Sequence, residues 1–457
     1  MSKISLLVAG AFFMEFLDAT ILAPALPLMA QSMGVEATAL GVGVSIYTLT
    51  IAVFILPSGW LLERFGARAV FTCAIVVFTL GSIACGFSNA PLTFAAARAL
   101  QGLGGAMMVP VGRVIVLRTT DKSDLMRAIA LITWPGLTAP LVAAPLGGYL
   151  AGAYSWRAIF FVNVPLGVLG ALLALAWTPS IPPAPSKPFD AVGFGLAGGA
   201  LALALVALDQ VAGPGGGGKA ALLFILAAGL AGLFALHMRR AAQPIVSLRP
   251  LAYVSFRAAL TWGLIARVAI SAVPFALPLM FEIGMGYSAV AAGLTLTPLF
   301  VGDIGIKPLT TPILRRFGFR RVLVGNALVQ ALTLLAVASL SLDTPKPLLF
   351  ALLGVSGASR SLHFTSLGTL PFADVPPEEM NMASLLFSVS FQASIAFGIG
   401  FGAAAIAIGS GLFPVPALAA FRFAFVAFAA LMIIAAAGHA RLPADAGAAV
   451  TRPRAEA

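Results

Sequence analysis

The segment "LLERFGARAVF" (61–71) recurs later in the chain as "ILRRFGFRRVL" (313–323). The two stretches share the pattern R-F-G-x-R and begin 252 residues apart. Each follows one long apolar run and precedes another, so each is expected to be a short loop between two helices. A repeat that places the same loop in the same orientation indicates two parallel halves.

The apolar runs around these loops identify the class of protein. Hydrophobic residues make up 60% of the 457 residues and charged residues 9%, whereas soluble domains carry roughly 25% charged residues. A run of about twenty apolar residues crosses a bilayer as a helix, because lipid-exposed backbone must satisfy its own hydrogen bonds. We therefore predict an all-α polytopic membrane protein with fourteen transmembrane helices. The predicted spans are 5–28, 40–62, 68–88, 91–117, 127–150, 157–178, 191–209, 220–238, 256–281, 289–312, 321–341, 347–370, 381–408 and 417–439.

The net charge of +11 sets the orientation in the membrane. Of the 27 Lys and Arg residues, eighteen lie in predicted loops on the side of the N-terminus, four in the opposite loops and five inside helices. Cytoplasmic loops carry the excess of Lys and Arg, so both termini are predicted to be cytoplasmic. Because topology accounts for the basic charge, the sequence argues against a nucleic-acid partner.

Two predicted helices stand outside the repeat. They follow the Pro-rich connector "TPSIPPAPSKPFD" (178–190), and the flexible segment "GPGGGG" (213–218) joins them. The predicted organisation is an N-terminal six-helix bundle, a linker with two extra helices, a C-terminal six-helix bundle and a disordered cytoplasmic tail. Their boundaries are 1–178, 179–245, 246–442 and 443–457.

Four motifs resemble signatures of one transporter family. They are "LDATILAPALP" (17–27), "GWLLERFGARAVF" (59–71), "ARALQGLGGAMMVPVGR" (97–113) and "SWRAIFFVNVPLG" (155–167). All are similar to motifs of the major facilitator superfamily, in its fourteen-helix drug:proton antiporter branch. The resemblance implies a bacterial inner-membrane exporter of small molecules that works as a monomer, uses a proton gradient and needs no cofactor.

The resemblance also assigns roles to particular residues. The loop after the second span is expected to be a conformational gate, although the same charges also serve topology. Its residues are Gly59, Glu63, Arg64, Gly66 and Arg68. In the fifth span, "APLVAAPLGG" (139–148) keeps part of the antiporter pattern, with Ala at 139 and 143 where Gly is usual. Its packing residues are Pro140, Pro145, Gly147 and Gly148.

Two buried carboxylates are candidates for proton coupling. Asp18 belongs to the first-span signature and is expected to carry the proton, with Arg98 tuning it; the alternative is a purely structural hydrogen bond for either residue. Glu15 precedes Asp18 by three residues and shares its helix face. It is interpreted as a second proton site, a cation-recognition group or a neutral hydrogen-bonding group.

Further polar residues inside the predicted spans are candidates for lining a substrate cavity. Asp303 and Lys307 stand at i, i+4 and can neutralise each other, whereas Arg267 and Arg360 are expected to find partners across the cavity or on the substrate. The candidate set is Gln101, Arg113, Arg267, Asp303, Lys307, Arg360 and His363.

Two functions within the transporter class stay open at this point. Glu15 favours export of amphipathic cations, whereas Arg267 and Arg360 favour export of organic anions or metal chelates such as citrate-like compounds. A membrane receptor is a remote third hypothesis, because it predicts a large extramembrane domain. We expect no enzyme and no metal site, because the sequence contains no Walker-type loop, no G-x-S-x-G motif and no Cys/His metal spacing.

Overall fold

The computed structural model describes residues 3–22, 25–35, 37–120, 125–179, 188–212, 217–241, 245, 247–287, 289–412 and 417–451, apart from the side chains of some helical residues. Every regular element in these ranges is a helix, so the all-α prediction is confirmed. By its internal contacts the chain divides into two units. Unit 1 is Met1–Ala202 with Leu230–Val246, and unit 2 is Leu203–Gly229 with Ser247–Ala457.

Unit 1 begins with nine helices, and two more helices are divided between the units. The nine are α1 (Lys3–Ile21), α2 (Leu26–Met33), α3 (Ala37–Phe54), α4 (Ser58–Phe65), α5 (Ala67–Phe87), α6 (Pro91–Thr119), α7 (Leu125–Ala153), α8 (Ala158–Phe161) and α9 (Asn163–Trp177). The two divided helices are α10 (Ala191–Ala212) and α11 (Gly217–Arg240).

Unit 2 contains the remaining helices. They are α12 (Val254–Leu279), α13 (Ala289–Leu294), α14 (Leu296–Gly305), α15 (Lys307–Ala338), α16 (Lys346–Thr369), α17 (Met380–Leu412), α18 (Ala417–His439) and α19 (Ala448–Thr451). The domain boundaries expected from the sequence stay predictions.

Each of the fourteen predicted spans overlaps at least one helix. Among the described residues, ten helices are long and apolar enough to cross a membrane, or eleven if the bent pair α3–α4 is one span. The number fourteen therefore stays a prediction. Several predicted spans are broken: the second bends by 55° between Phe54 and Ser58, around Pro57, and the tenth is divided among α13, α14 and the first part of α15.

Apolar side chains on the outside of the helices match a lipid environment. Helix α11 has a mean hydropathy of 2.2, yet only 11% of its apolar window is buried inside the protein. Ile225 on this helix is 68% exposed. In water such a surface would be costly at about 25 cal/mol per Å², so these faces are suited to contact lipid.

The R-F-G-x-R repeat has the same backbone conformation in both halves. Gly66 has φ 80° and ψ 157°, and Gly318 has φ 74° and ψ 161°. This region of φ/ψ space is essentially restricted to glycine, which explains why glycine stands at both positions. In each half the glycine lets the chain turn sharply between two helical stretches.

Helix packing repeats as well. In unit 1, α1 packs on α7, α3 packs on α6, and α5 packs on both α6 and α9. In unit 2, α12 packs on α17, α14 packs on α16, and α15 packs on both α16 and α18. These pairings match one another in chain order, so the two halves are copies of one helical pattern, as the sequence repeat predicts.

Asp190 connects the start of α10 to the end of α11 through hydrogen bonds. Its Oδ1 accepts hydrogen bonds from the Gly193 amide and from His237 Nε2, both at 2.8 Å. Its Oδ2 accepts from the Ile245 amide at 3.0 Å. Asp190 thus caps the N-terminus of α10, as short polar side chains do at helix starts, and ties it to the end of α11 and the chain beyond.

The predicted disordered tail differs from the structure in its first part. Residues 443–451 form turns and the short helix α19, and α19 packs on α15. Leu442 is buried in the core of unit 2 and Ala446 packs against that core, so apolar contacts order a segment whose composition suggests disorder. Residues 452–457 lie outside the described residues.

Candidate functional site

A buried polar network surrounds Asp18 in unit 1. Asp18 Oδ2 accepts a hydrogen bond from Arg98 Nη1 at 2.6 Å, which is also an ion pair. Asp18 Oδ1 accepts from Gln101 Nε2 and from Asn163 Nδ2, both at 2.8 Å. The Asp18 side chain is 0% exposed and that of Arg98 is 1% exposed. Both carboxylate oxygens of Asp18 are therefore occupied by donors in the protein interior.

Gln101 connects this network to a further helix. Its Nε2 also donates to Ser82 Oγ at 2.7 Å, and its Oε1 accepts from Arg98 Nη1 at 2.6 Å. The Cys85 thiol lies 3.7 Å from the same Oε1. We call Asp18, Ser82, Arg98, Gln101 and Asn163 the Asp18 cluster. It joins α1, α5, α6 and α9.

Close helix packing makes the cluster possible. Arg98 and Gln101 are three residues apart, so they share one face of α6. A Cβ at Gly81 on α5 would lie 2.6 Å from the Gln101 backbone, and one at Gly104 on α6 would lie 2.7 Å from the Ala74 carbonyl oxygen. Glycine at these two positions lets α5 and α6 approach closely enough for Ser82 to reach Gln101.

Tyr47 on α3 covers the other side of the Arg98 guanidinium. The guanidinium carbon lies 3.9 Å from the centre of the Tyr47 ring, which is a cation–π contact. Tyr47 is 4% exposed, and among the described residues its buried hydroxyl has no hydrogen-bond partner.

Glu15 lies one turn before Asp18 and is 5% exposed. A Cβ at Gly105 would lie 3.7 Å from the Glu15 carboxyl carbon and 3.6 Å from the Tyr47 hydroxyl. The Glu15 carboxyl and the Tyr47 hydroxyl therefore converge on the same point of α6. The structure brings together Glu15, Asp18 and Arg98, the three residues proposed for proton coupling, and adds Gln101, which was expected in the substrate cavity.

Asn163, Ser82 and Tyr47 were not predicted. Asn163 lies inside "SWRAIFFVNVPLG", so the resemblance points to its segment, but a neutral amide gives no charge signal in a single sequence. Arg113 follows Arg98 by fifteen residues on α6, which corresponds to about 22 Å along the helix axis. The structure does not bring Arg113 to the Asp18 cluster.

Unit 2 contains a second buried ion pair, between Asp303 on α14 and Arg360 on α16. Arg360 Nη2 donates to Asp303 Oδ2 at 2.5 Å. The Asp303 side chain is 0% exposed and that of Arg360 is 10% exposed. Lys307 instead donates to Thr365 Oγ1 at 2.8 Å. Asp303 therefore forms its ion pair with Arg360 rather than with Lys307, although the Asp303 carboxylate still acts favourably on the Lys307 charge.

Arg267 on α12 is fully buried. Its Nη2 donates to Ser390 Oγ at 2.7 Å and its Nη1 donates to the Ala259 carbonyl at 3.3 Å. Its guanidinium also lies 5.5 Å from the centre of the Phe387 ring. Among the described residues no carboxylate lies within 4 Å of Arg267, so its polar partners are neutral.

His363 belongs to another part of unit 2. Its Nδ1 lies 3.3 Å from Asn326 Nδ2, and its ring centre lies 5.5 Å from that of His439. Both imidazoles are 0% exposed. Asn326 and His439 were not predicted, because their partners come from helices that are distant in the sequence.

In the predicted gate, Arg68 makes the long-range contact. Arg68 Nε donates to the Thr178 carbonyl oxygen at 2.6 Å, at the C-terminal end of α9, where the helix dipole favours a cation. Gly59 and Glu63 lie half-buried on α4, Arg64 is exposed near its C-terminus, and Gly66 forms the turn. The gate function of these residues stays a prediction.

The two glycines of the fifth-span motif differ in their surroundings. A Cβ at Gly147 would lie 2.5 Å from the Ile21 carbonyl oxygen, whereas one at Gly148 would meet nothing within 4 Å. Gly147 therefore lets α7 pack against α1. The side chains of Pro140 and Pro145 lie outside the described residues.

Comparisons with known proteins agree with this architecture. Residues 8–399 match the profile of the Major Facilitator Superfamily. A protein of Serratia proteamaculans (strain 568) named "Putative multidrug resistance protein MdtD" is 36% identical over 445 residues, which cover 96% of this chain and 93% of that protein. A protein of the same name from Salmonella paratyphi B is 36% identical over 403 residues, covering 86% and 84%.

A solved structure supports the same fold. The crystal structure of the human organic anion transporter MFSD10 (TETRAN) matches with a TM-score of 0.67 and 14% identity, covering 96% of this chain and 99% of that one. At this identity the likeness concerns the fold alone. With a family profile over most of the length and relatives at 36% identity, this multi-pass membrane protein belongs to the major facilitator superfamily.

Proposed function

We propose that the protein is a proton-coupled efflux transporter that exports small amphipathic compounds. The buried Asp18–Arg98 pair is the observation that carries the proposal. An ion pair inside a membrane helix bundle is costly to desolvate, and ionisable groups at such positions are by default candidates for proton or substrate pathways. The multidrug resistance names of the relatives support export of drug-like compounds.

The cycle would follow alternating access, in which two halves rock around a substrate site near the middle of the membrane. We infer that the cytoplasmic membrane of a bacterium is its location, that both termini are cytoplasmic, and that it works as a monomer without a cofactor. The contact between Arg68 and the end of α9 supports a role for the loop after α4 as a gate. Such a contact can be made in one state of the cycle and broken in another.

Export of organic anions or metal chelates is less well supported. That hypothesis depends on Arg267 and Arg360, and the charge of Arg360 is already neutralised by Asp303 at 2.5 Å. Among the described residues Arg267 has only neutral hydrogen-bond partners, so the hypothesis rests on this one arginine.

Transport by the purified full-length protein in proteoliposomes tests the proposal. An imposed pH gradient should drive accumulation of ethidium but not of citrate, and an ionophore that collapses the gradient should abolish accumulation. Asp18→Asn should remove the transport, whereas Glu282→Gln, which changes an exposed carboxylate, should retain it. Citrate accumulation in place of ethidium, or ethidium uptake that ignores the gradient, would contradict the proposal.

A further inference from the structure

The two R-F-G-x-R loops have the same backbone conformation but carry different charges. In unit 1 the segment 61–71 contains two arginines and one glutamate, Glu63, which gives a net charge of +1. In unit 2 the segment 313–323 contains four arginines and no acidic residue, which gives +4. Arg315 stands at the position that Glu63 occupies in the repeat. The same turn therefore presents a much more cationic surface in unit 2.

The four arginines of the unit 2 loop are exposed and lack a counter-charge. We call Arg315, Arg316, Arg320 and Arg321 the arginine cluster. All four are exposed, and within the described part of the chain none of them takes part in an ion pair. Asp445 precedes α19, which packs on α15, but it forms no ion pair with the cluster either. Four cationic groups thus lie within seven residues on the protein surface.

The corresponding arginine of unit 1 shows that such a residue can serve the fold itself. Arg68 donates to the Thr178 carbonyl oxygen. Arg320 has the same place in the repeat, yet it is exposed and, among the described residues, has no such contact. A basic cytoplasmic loop satisfies the topology rule in both halves. The additional charges of unit 2 are therefore available to a partner outside the protein.

An open apolar strip continues from the arginine cluster along α15. Arg321, Gly325, Leu328 and Leu332 follow one another at intervals of three or four residues, so they share one face of the helix. Leu328 is 45% exposed and Leu332 is 66% exposed, and a Cβ at Gly325 would meet nothing within 4 Å. Phe317, inside the cluster, is 48% exposed. Cationic groups and exposed apolar groups therefore adjoin on one surface of unit 2.

We propose that this surface binds an anionic phospholipid. The guanidinium groups of the arginine cluster hold the phosphate of the headgroup, and an acyl chain lies along the strip from Gly325 to Leu332. Arginine matches phosphate oxygens with two parallel hydrogen bonds, and basic segments beside a membrane attract anionic lipids. A free phosphate or a nucleic acid would use the charges but not the apolar strip. The proposal goes beyond the transport function and does not depend on which compound is exported.

Native mass spectrometry of the purified full-length protein in detergent tests the binding, with phosphatidylglycerol as the probe and phosphatidylethanolamine as the neutral comparison. The wild-type protein should bind phosphatidylglycerol more tightly. Removal of an arginine by substitution with glutamine should weaken this binding by about fivefold. Arg315→Glu, which introduces the acid of the unit 1 loop, should weaken it more than Arg315→Gln. Equal affinity for the two lipids in the wild-type protein would overturn the proposal.

A second pair of exposed arginines provides the control for net charge. Arg239 and Arg240 are exposed at the end of α11. The variant Arg320→Gln/Arg321→Gln should lose affinity for phosphatidylglycerol, whereas Arg239→Gln/Arg240→Gln should keep most of it. Exposed substitutions of this kind seldom disturb folding, and equal unfolding midpoints would verify this for both variants. The same loss of affinity in both would show that only overall charge matters and would contradict a site on α15.

The apolar strip has a control of its own. Gly325→Phe fills the strip between Arg321 and Leu328, so it should weaken binding of phosphatidylglycerol. Gly229→Phe places the same side chain on α11, at an exposed glycine where a Cβ also meets nothing within 4 Å, and should leave binding unchanged. An excess of inorganic phosphate should not displace the lipid. Displacement by phosphate, or equal effects of the two phenylalanines, would refute a site that holds a lipid by its headgroup and its acyl chain.

Discussion

At the scale of single residues, the buried charges of the Asp18 cluster depend on one another. Asp18 and Arg98 form a closed pair whose remaining hydrogen-bonding capacity is taken up by Gln101 and Asn163. Removal of one member of such a pair strongly destabilises the folded protein, whereas removal of both members destabilises it much less.

The variant Asp18→Asn should therefore destabilise the protein by about 3–5 kcal/mol, because Arg98 stays buried without a counter-charge. The double variant Asp18→Asn/Arg98→Gln should be more stable than Asp18→Asn alone. Denaturant unfolding of the two single variants and the double variant in detergent gives the coupling energy. Simple additivity of the two single effects would show that the two charges do not depend on each other.

Asp190 gives a prediction about pH. Burial raises the pKa of this carboxyl, but hydrogen bonds from the Gly193 and Ile245 amides and from His237 outweigh burial, so the pKa is lowered overall. A carboxyl with a lowered folded pKa stabilises the folded state above its unfolded pKa of about 3.9, and the contribution is lost as the pH falls through the folded value.

Hydrogen exchange of the Gly193 and Ile245 amides measures this effect. Their protection should be constant around neutral pH and should fall in acid, once Asp190 is protonated. Asp190→Asn keeps an acceptor for the Gly193 amide but has no titrating group, so its protection should not depend on pH in this way. Equal pH profiles for the two proteins would exclude Asp190 as the cause.

At the scale of helices, close approach of backbones determines which side chains can meet. The neighbours Gly147 and Gly148 provide a matched pair on α7. Gly147→Ala should destabilise the protein by about 1–3 kcal/mol, because its Cβ would press on the Ile21 carbonyl of α1. Gly148→Ala should stabilise by about 0.5–1 kcal/mol, because alanine favours the helix and meets nothing.

Thermal unfolding of both variants in the same detergent tests the difference. If the two alanines have equal effects, then α1 and α7 are not held at the distance that the structure gives. The comparison also shows which glycine of the fifth-span motif is needed for packing, because only one of the two is in close contact with another helix.

The sequence predicts helices better than it predicts the places where they break. Long apolar runs mark every helical segment, because burial in lipid imposes a helix wherever such a run occurs. Between α14 and α15 the one signal in the sequence is Pro308, which stands at the start of α15. The ion pair of Asp303 with Arg360 joins two helices, so spacing along a single helix does not reveal it.

Part of the Asp18 cluster could be predicted from the sequence, because charged residues stand out in apolar segments. Asp18, Arg98 and Gln101 stand in motifs, and a charge in an apolar run is conspicuous in a single sequence. Ser82, Asn163 and Tyr47 are ordinary residues in apolar segments, and only the packing of α5, α9 and α3 around α6 gives them a role. Their contribution depends on contacts between helices that are far apart in the chain.

At the scale of the whole molecule, the repeat that is visible in the sequence is a repeat of backbone geometry. Gly66→Ala and Gly318→Ala should each cost about 1–3 kcal/mol, because both require a φ/ψ region that other residues avoid. The two penalties should be similar, since the conformations agree.

Gly325→Ala is the control for this pair. Gly325 lies on α15, and a Cβ added there would meet nothing within 4 Å, so alanine should be neutral or stabilising. The free energies of unfolding of the three variants, measured in the same detergent, test this prediction. A large penalty in one half and none in the other would mean that the two loops share a sequence pattern without a shared structural requirement.

The position of Cys85 gives the molecule a natural chemical label. Its thiol touches Gln101 inside the Asp18 cluster and is fully buried, whereas Cys73, on the same helix, is exposed. A maleimide reacts with the hydrated thiolate, so Cys73 on the outer face of α5 should react at a constant rate set by the lipid, and Cys85 should react only when water reaches the cluster. The ratio of the two labelling rates, measured by mass spectrometry with and without a pH gradient, would follow the opening of this interior in the unmodified protein.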